Sequence, residues 1–397
     1  MGEHRKLLMI PGPVEVSPAV REAHDGPPPG HQAPELVEAF GQLLERMRIL
    51  WKAPAGAQPF VVAGSGTLAM EMAAANLFEP GERALVVDTG YFSGRMAEIL
   101  RRVGAEVTVE AAEPGRAVAL EAVEAALDRV QPKAVFVTHV DTSTGVRMNA
   151  QAVGALARAR GALTVVDGVC ATAAEALSME DGSIDLHLTG SQKALGLPAG
   201  LALFVASARA MEVRRRRRSG PPPLYLDFAS WLPIMEAYEA RQKSYFATPA
   251  TNLVQAAAVG TREIVEDRFE GVDGVDARVA RHGHVACAFE AAWQVYGLRH
   301  LAEVPEARGH TLSALRYPEG IGPELLGHVA VHGVTVAGGL YPRLKGDYFR
   351  VGHMGWCTTQ GDILERTVEA VGQGLCAAGH AVDVDAARAA FRGTFDA

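Results

Sequence analysis

Between residue 60 and about residue 205 the chain alternates short apolar runs with helix-length amphipathic segments, and this alternation constrains the fold more than any other feature. Seven runs read as strands: Phe60 to Ala63, Ala84 to Asp88, Val107 to Glu110, Ala134 to Thr138, Leu163 to Asp167, Leu186 to Thr189 and Leu201 to Ala206. Helical patterns between them cover Thr67 to Leu77, Phe92 to Val103, Leu120 to Arg129 and Ala150 to Arg160. Strands that follow one another through helices build a mostly parallel sheet covered on both faces, an α/β fold. In such sheets ligands gather beyond the carboxyl ends of the strands.

The texture changes at Gly220 to Ala250, which is rich in proline and aromatic residues. A long helical stretch from Thr251 to Tyr296 is expected next, then strands at His310 to Tyr317, Val334 to Ala337 and Tyr348 to Val351, and a helix at Gln360 to Ala377. His380 to Ala397 is alanine-rich and has the composition of a further, peripheral helix. A chain of 397 residues exceeds what one hydrophobic core usually supports. The expected organisation is an N-terminal arm over 1–15, a large domain with a mostly parallel seven-stranded sheet over 16–260, and a smaller C-terminal α+β domain over 261–397.

Hydrophobic residues make up 48% of the chain and charged ones 21%, as in soluble globular proteins. A formal charge of -8 opposes nucleic-acid and anionic-membrane partners. The run Arg214 to Arg218 precedes Ser219-Gly220-Pro221-Pro222-Pro223 and reads as a solvated helix end. Cys170, Cys287, Cys357 and Cys376 have no metal-ligand or disulfide-framework spacing, which fits a reducing compartment and no metal. Met1 to Met9 is charged and lacks a long apolar run, and no stretch approaches membrane-spanning length, so a cytoplasmic protein is expected.

Two strand ends carry the chemistry. Lys193 stands in Thr189-Gly190-Ser191-Gln192-Lys193-Ala194 and Asp167 ends Leu163-Thr164-Val165-Val166-Asp167, so a lysine and an acid arrive at one edge of one sheet. Pyridoxal phosphate (PLP) needs such a pair: an amine to hold it as a Schiff base, and a carboxylate to keep its ring nitrogen protonated. Gly64-Ser65-Gly66-Thr67, between a strand and a helix, offers free amides and hydroxyls to a dianionic phosphate, although an ordinary tight turn has the same look. Phe92 is placed to lie on an aromatic ring or, equally, to begin a helix core, with Tyr91 the less favoured stacker. His139-Val140-Asp141-Thr142-Ser143-Thr144-Gly145 is unusually polar for a strand exit; its hydroxyls suit a cofactor oxygen or a substrate carboxylate, or cap the next helix. His139 itself reads as structural. Arg350, in Asp347-Tyr348-Phe349-Arg350-Val351, is a fork-shaped clamp for an α-carboxylate or, taken alone, a salt-bridged edge residue.

Taken together, the chain resembles the class V aminotransferases of PLP fold type I, and among them the alanine–glyoxylate and serine–pyruvate group. The resemblance rests on an ordered series: PGP at Pro11 to Pro13, GSGT at Gly64 to Thr67, HVDTSTGV at His139 to Val146, VVDG at Val165 to Gly168, GSQKAL at Gly190 to Leu195 and FRVGHMG at Phe349 to Gly355. It implies that Lys193 holds the cofactor, Asp167 pairs with its ring nitrogen, and Gln192 and Thr142 approach its phenolic oxygen. Ser65, Gly66 and Thr67 would hold the phosphate, joined by Tyr245 and Thr248 from a second subunit, which implies a homodimer with shared sites. Arg350 would take the substrate carboxylate, with Thr142 beside it. Two departures stand out. Phe92 replaces a frequent tryptophan, and Asp141 replaces a glutamate, a change expected to alter the depth of the pocket.

The expected activity is amino transfer from a small α-amino acid, alanine or serine, to a 2-oxo acid such as glyoxylate or pyruvate. Other donors in view are aspartate, ureidoglycine and an aminophosphonate, though Arg350 leans towards a carboxylate. Within PLP chemistry the rival is a lyase or desulfurase using Cys357. Outside it, the rival is a PLP-fold protein that binds without turnover, which would have no need of Lys193, Asp167 and Arg350 together.

Overall fold

In the computed structural model, which describes residues 5–397, all seven expected strands form one sheet. They are β1 (Gln58–Ala63), β2 (Arg83–Asp88), β3 (Glu106–Ala111), β4 (Ala134–Thr138), β5 (Leu163–Asp167), β6 (Leu186–Gly190) and β7 (Leu201–Ala206), in the order β1-β7-β6-β5-β4-β2-β3. β7 runs antiparallel to both of its neighbours, and every other pairing is parallel. Every residue of β4 to β7 is buried, the consequence of helices on both faces, and their sequences are accordingly continuous apolar runs. β3 closes one edge with Glu106 and Glu110 and has no buried residue, so charge blunts an otherwise open ladder.

The helices Gly66–Leu77, Tyr91–Arg102, Leu120–Val130 and Ala150–Ala159 also lie where the pattern put them. Others were not anticipated, Leu325–Val331 and the following three among them. Pro18–Asp25 and Pro34–Leu50 precede the sheet, and the second buries Leu36, Phe40, Leu43, Met47 and Leu50 along one face. Phe228–Glu239 forms inside the proline-rich segment; Asp227 caps it, and Pro233 is tolerated in its second turn.

The single helical stretch expected from Thr251 to Tyr296 is instead two helices, Thr251–Val265 and Gly274–Val295. Between them Arg268–Phe269 pairs with Val272–Asp273, turning through Glu270 (φ 48°) and Gly271 (φ 79°), the positive pair that a two-residue hairpin requires. The first helix packs Val254, Ala257 and Ile264 into the core of the large sheet. The second packs Val285, Phe289 and Trp293 into a separate core.

That second core lies on a three-stranded antiparallel sheet of β8 (Leu312–Arg316), β9 (Ala337–Gly338) and β10 (Tyr348–Gly352), with β10 in the centre. The strand expected at Val334 to Ala337 is split: Val334–Thr335 pairs in parallel with Leu7–Leu8, and Ala337–Gly338 joins β10. The last helix, Val384–Phe395, belongs to the core, because Ala387 and Phe391 are buried and the Phe391 ring meets Phe289 at 5.3 Å. Residues 1–4 of the expected N-terminal arm lie outside the described residues. Among the described residues no helix is long and apolar enough to cross a membrane.

Candidate active site

A cavity of about 360 Å³ opens at the carboxyl ends of the central strands, in the range of small-molecule sites. Thr138 and Asp167, paired in register at the ends of β4 and β5, form its floor with Val169 and Lys193. The helix starts at Ser65–Thr67 and Phe92 supply one side, while Ala337, Leu340 and Arg350 reach in from the smaller sheet. Ile10, Pro11 and Gly12 cover it from the N-terminal segment.

Lys193 is buried, and its ammonium donates to Pro11 O at 2.9 Å and to Thr142 Oγ1 at 2.8 Å. Nζ lies 5.5 Å from the centroid of the Phe92 ring. Burial lowers the pKa of this amine; nearby Arg350 lowers it further, and the carboxylates of Asp167 and Asp141 oppose the shift. An amine held in such a place can be a nucleophile where a surface lysine is not. Close approach also explains Gly12 (φ 86°): a Cβ there would stand 2.6 Å from Lys193 Cγ.

Asp167 accepts the Val169 N–H at 2.9 Å. Burial, with some repulsion from Asp141, raises its pKa to about 6 against the pull of that bond and of Lys193 and Arg95. A carboxylate so desolvated gains strongly from a cationic N–H placed against it.

Asp141 is fully buried, and its place corrects the expectation that it sets the depth of the pocket. It does not line the cavity. Its carboxylate instead accepts N–H bonds from Phe92 (3.0 Å), Ser93 (3.4 Å) and Ser143 (2.8 Å) and the Ser143 hydroxyl (2.6 Å). Ser143 Oγ accepts the Tyr91 N–H at 2.9 Å. The polar strand exit thus caps the helix Tyr91–Arg102, an earlier one than the helix that follows it, and Asn149 caps that following helix. One residue on, Thr142 turns into the cavity; its hydroxyl accepts from Lys193, and its carbonyl accepts Arg350 Nη1 at 3.0 Å.

Arg350 sits on the central strand β10, not at an edge, and its polar partners are carbonyls: Thr142 O and, through Nε, Gly338 O at 2.9 Å. Burial lowers its pKa, and among the described residues no carboxylate is paired to it.

Ser65 is the N-cap of helix Gly66–Leu77, and its side chain makes no capping bond. Thr67 Oγ1 accepts Arg95 Nη1 at 2.9 Å. Backbones crowd here: a Cβ on Gly66 would meet Val169 Cγ2 at 2.7 Å, and one on Gly190 would meet Gln192 Oε1 at 2.9 Å and Gly66 N at 3.1 Å. Gln192 therefore lies at the Gly66 end of the cavity, with Oε1 buried and, among the described residues, unpartnered. A glycine-lined helix start carrying the hydroxyls of Ser65 and Thr67 suits a phosphate, and with Lys193, Phe92 and Asp167 it fits PLP as a whole.

Other sequence candidates lie elsewhere. Tyr245 is 57% exposed, and its hydroxyl stands 3.4 Å from Thr248 Oγ1; neither residue lines this cavity. His139 is buried outside the cavity and kept neutral, its pKa lowered by burial to about 4. Cys357 is buried in a 3-10 turn with its thiol pushed up to about 12, unlike a mobile nucleophile. Sequence reasoning missed Arg95, which lines the cavity one helical turn beyond Phe92, and the apolar wall of Ile10, Val140, Ala337 and Leu340. The i, i+3 spacing from Phe92 is the one signal that pointed to Arg95.

Residues 30–220 match the family model described as aminotransferase class-V. The alanine–glyoxylate aminotransferase 1 of Saccharomyces cerevisiae is 36% identical over 361 residues, covering 88% of this chain and 91% of its own. The serine–glyoxylate aminotransferase of Hyphomicrobium methylovorum is 31% identical over 355 residues, covering 88% of this chain and 84% of its own. The crystal structure of ureidoglycine–glyoxylate aminotransferase from Bacillus subtilis superposes with a TM-score of 0.89 at 25% identity over 100% of both chains.

Proposed function

We propose the following reaction for the chain, which belongs to the class V aminotransferases, PLP-dependent enzymes of fold type I: it moves the amino group of a small, uncharged α-amino acid, alanine or serine, to glyoxylate or pyruvate. The observation that carries this reading is the meeting of Lys193, Asp167 and Arg350 in one cavity, part of whose wall is the apolar group Ile10, Val140, Ala337 and Leu340. PLP, when bound, supplies an electron sink for negative charge at the substrate's Cα. Asp167 holds the proton on the ring nitrogen. Arg350, fixed by two carbonyls, orients the α-carboxylate, and Phe92 confines the ring plane. Lys193 Nζ takes the proton from Cα, with Thr142 Oγ1 and Pro11 O setting its position. Ile10, Val140, Ala337 and Leu340 leave the side chain of the donor an apolar wall without a cation, which favours methyl and hydroxymethyl groups over a second carboxylate.

The protein is read as a cytoplasmic homodimer in which exposed Tyr245 and Thr248 complete the partner's phosphate site. The two separate cores support a division into a large domain up to about residue 260, after the arm over 1–15, and a smaller domain beyond it. The test is a panel of single half-reactions followed by absorbance above about 400 nm, where PLP linked to a protein amine absorbs. Alanine and serine should discharge the band, aspartate, ureidoglycine and aminoethylphosphonate should do so far more slowly, and steady-state lines should be parallel. Intersecting lines, or a band that none of these donors discharges, would refute the reading.

A further inference from the structure

Arg95 is a cation on the cavity wall that none of the roles above uses. It stands on the helix Tyr91–Arg102 one turn past Phe92, its guanidinium 4.9 Å from the Phe92 centroid and 5.0 Å from that of Tyr91. Nη1 donates to Thr67 Oγ1 at 2.9 Å, and among the described residues no carboxylate pairs with it. A guanidinium carries five donors, so one bond to a hydroxyl and a stacking contact leave most of its hydrogen-bonding capacity open.

We propose that Arg95 is the charge partner of the cofactor's phosphate and the residue that aims Thr67 at it; the proposal rests on the aminotransferase reading. The turn at Ser65–Thr67 offers amides and hydroxyls, all neutral, to a group that carries close to two negative charges. Arg95 is the guanidinium bonded to that turn, whereas Arg350 is tied to Thr142 O and Gly338 O at the smaller sheet. The direction of the Arg95–Thr67 bond matters too. Because Thr67 Oγ1 accepts from Arg95, its own hydrogen is turned away from the guanidinium and is available to an acceptor placed in the cavity. The two aromatic faces restrain the guanidinium and lower the entropy lost when it meets the anion.

The experiment compares binding of PLP with binding of pyridoxal, which lacks the phosphate, to cofactor-depleted wild-type protein and to Arg95→Ala and Arg95→Lys, read by the absorbance above about 400 nm. Arg95→Ala should weaken PLP about tenfold or more and pyridoxal less than about twofold. Arg95→Lys, a point charge without the fork, should recover part of the PLP preference. Pyridoxal binding doubles as the check that the variants fold. If PLP and pyridoxal weaken by the same factor, Arg95 is architectural and the proposal fails. If PLP binding is unchanged while KM for the amino acid rises, the guanidinium serves substrate and the proposal fails again. A wild-type protein that links neither compound would sink the cofactor reading itself, an outcome distinct from both.

Discussion

The carboxylate of Asp141 accepts the backbone N–H of Phe92 at 3.0 Å, and in doing so fastens the loop that carries Thr142 to the helix that carries the aromatic ring. No cation pairs with this buried acid among the described residues; amide and hydroxyl donors stabilise it together with the positive end of the helix. Asp141→Ala strands those donors and should cost about 2–3 kcal/mol in urea unfolding. Asp141→Asn keeps an acceptor of the same shape and should cost about half as much. Unchanged unfolding midpoints in both variants would show that the cap is not a structural tie.

Arg350→Ala should lower kcat/KM for the amino donor about 10- to 100-fold with PLP content unchanged, the range of a lost charge-assisted bond. Arg350→Lys should rescue little, because a lysine cannot bond Gly338 O and Thr142 O and still present two parallel donors. Half-reaction rates across donor concentration decide this, and a change under twofold for Arg350→Ala would remove the residue from the substrate site.

Gly12→Ala sets a methyl 2.6 Å from Lys193 Cγ at a left-handed φ of 86°. The backbone alone should cost about 1–2 kcal/mol, and the displaced lysine should link PLP incompletely. Thermal unfolding and the yield of the absorbance above about 400 nm, measured on the same samples, test both parts. A variant as stable and as fully linked as the parent would show that the close approach is relaxed in solution.

Asp167 gives a pH dependence of definite sign. Its folded pKa, about 6, lies above the ordinary 3.8, so the folded state retains a proton that the unfolded chain releases. In cofactor-depleted protein its contribution is therefore intact below about pH 4 and is lost as pH rises through about 6, by on the order of 2–3 kcal/mol. Asp167→Asn should abolish this decline, so the variant gains on wild type between pH 4 and 7 in urea titrations. A flat difference curve would mean that the acid is not desolvated.

Much of this was legible in the sequence because burial on two faces writes itself as uninterrupted apolar runs, and β4 to β7 are such runs. Lys193 and Asp167 could be placed from there, since a polar residue ending such a run stands at the ligand edge of the sheet. The partner of Asp141 could not, because it lies 49 residues upstream and pairs only through the tertiary fold. The hairpin at Glu270-Gly271 was hidden between two helical patterns, and the helix Phe228–Glu239 was masked by Pro233. Pro11 shows why backbone acceptors escape sequence reasoning: its carbonyl meets Lys193, and a carbonyl is common to every residue.

The cavity takes Ile10 to Gly12 from one end of the sequence and Ala337 to Arg350 from near the other. During synthesis on the ribosome, a nascent chain that has emerged as far as Ala206 already owns every strand of the large sheet, together with Asp167 and Lys193. It still lacks Arg350 and β9, and Leu7–Leu8 has nothing to zip against until Val334–Thr335 appears. The clamp for the substrate carboxylate is thereby the last part of the cavity to be translated, and a prematurely terminated product would carry the lysine beneath half a roof.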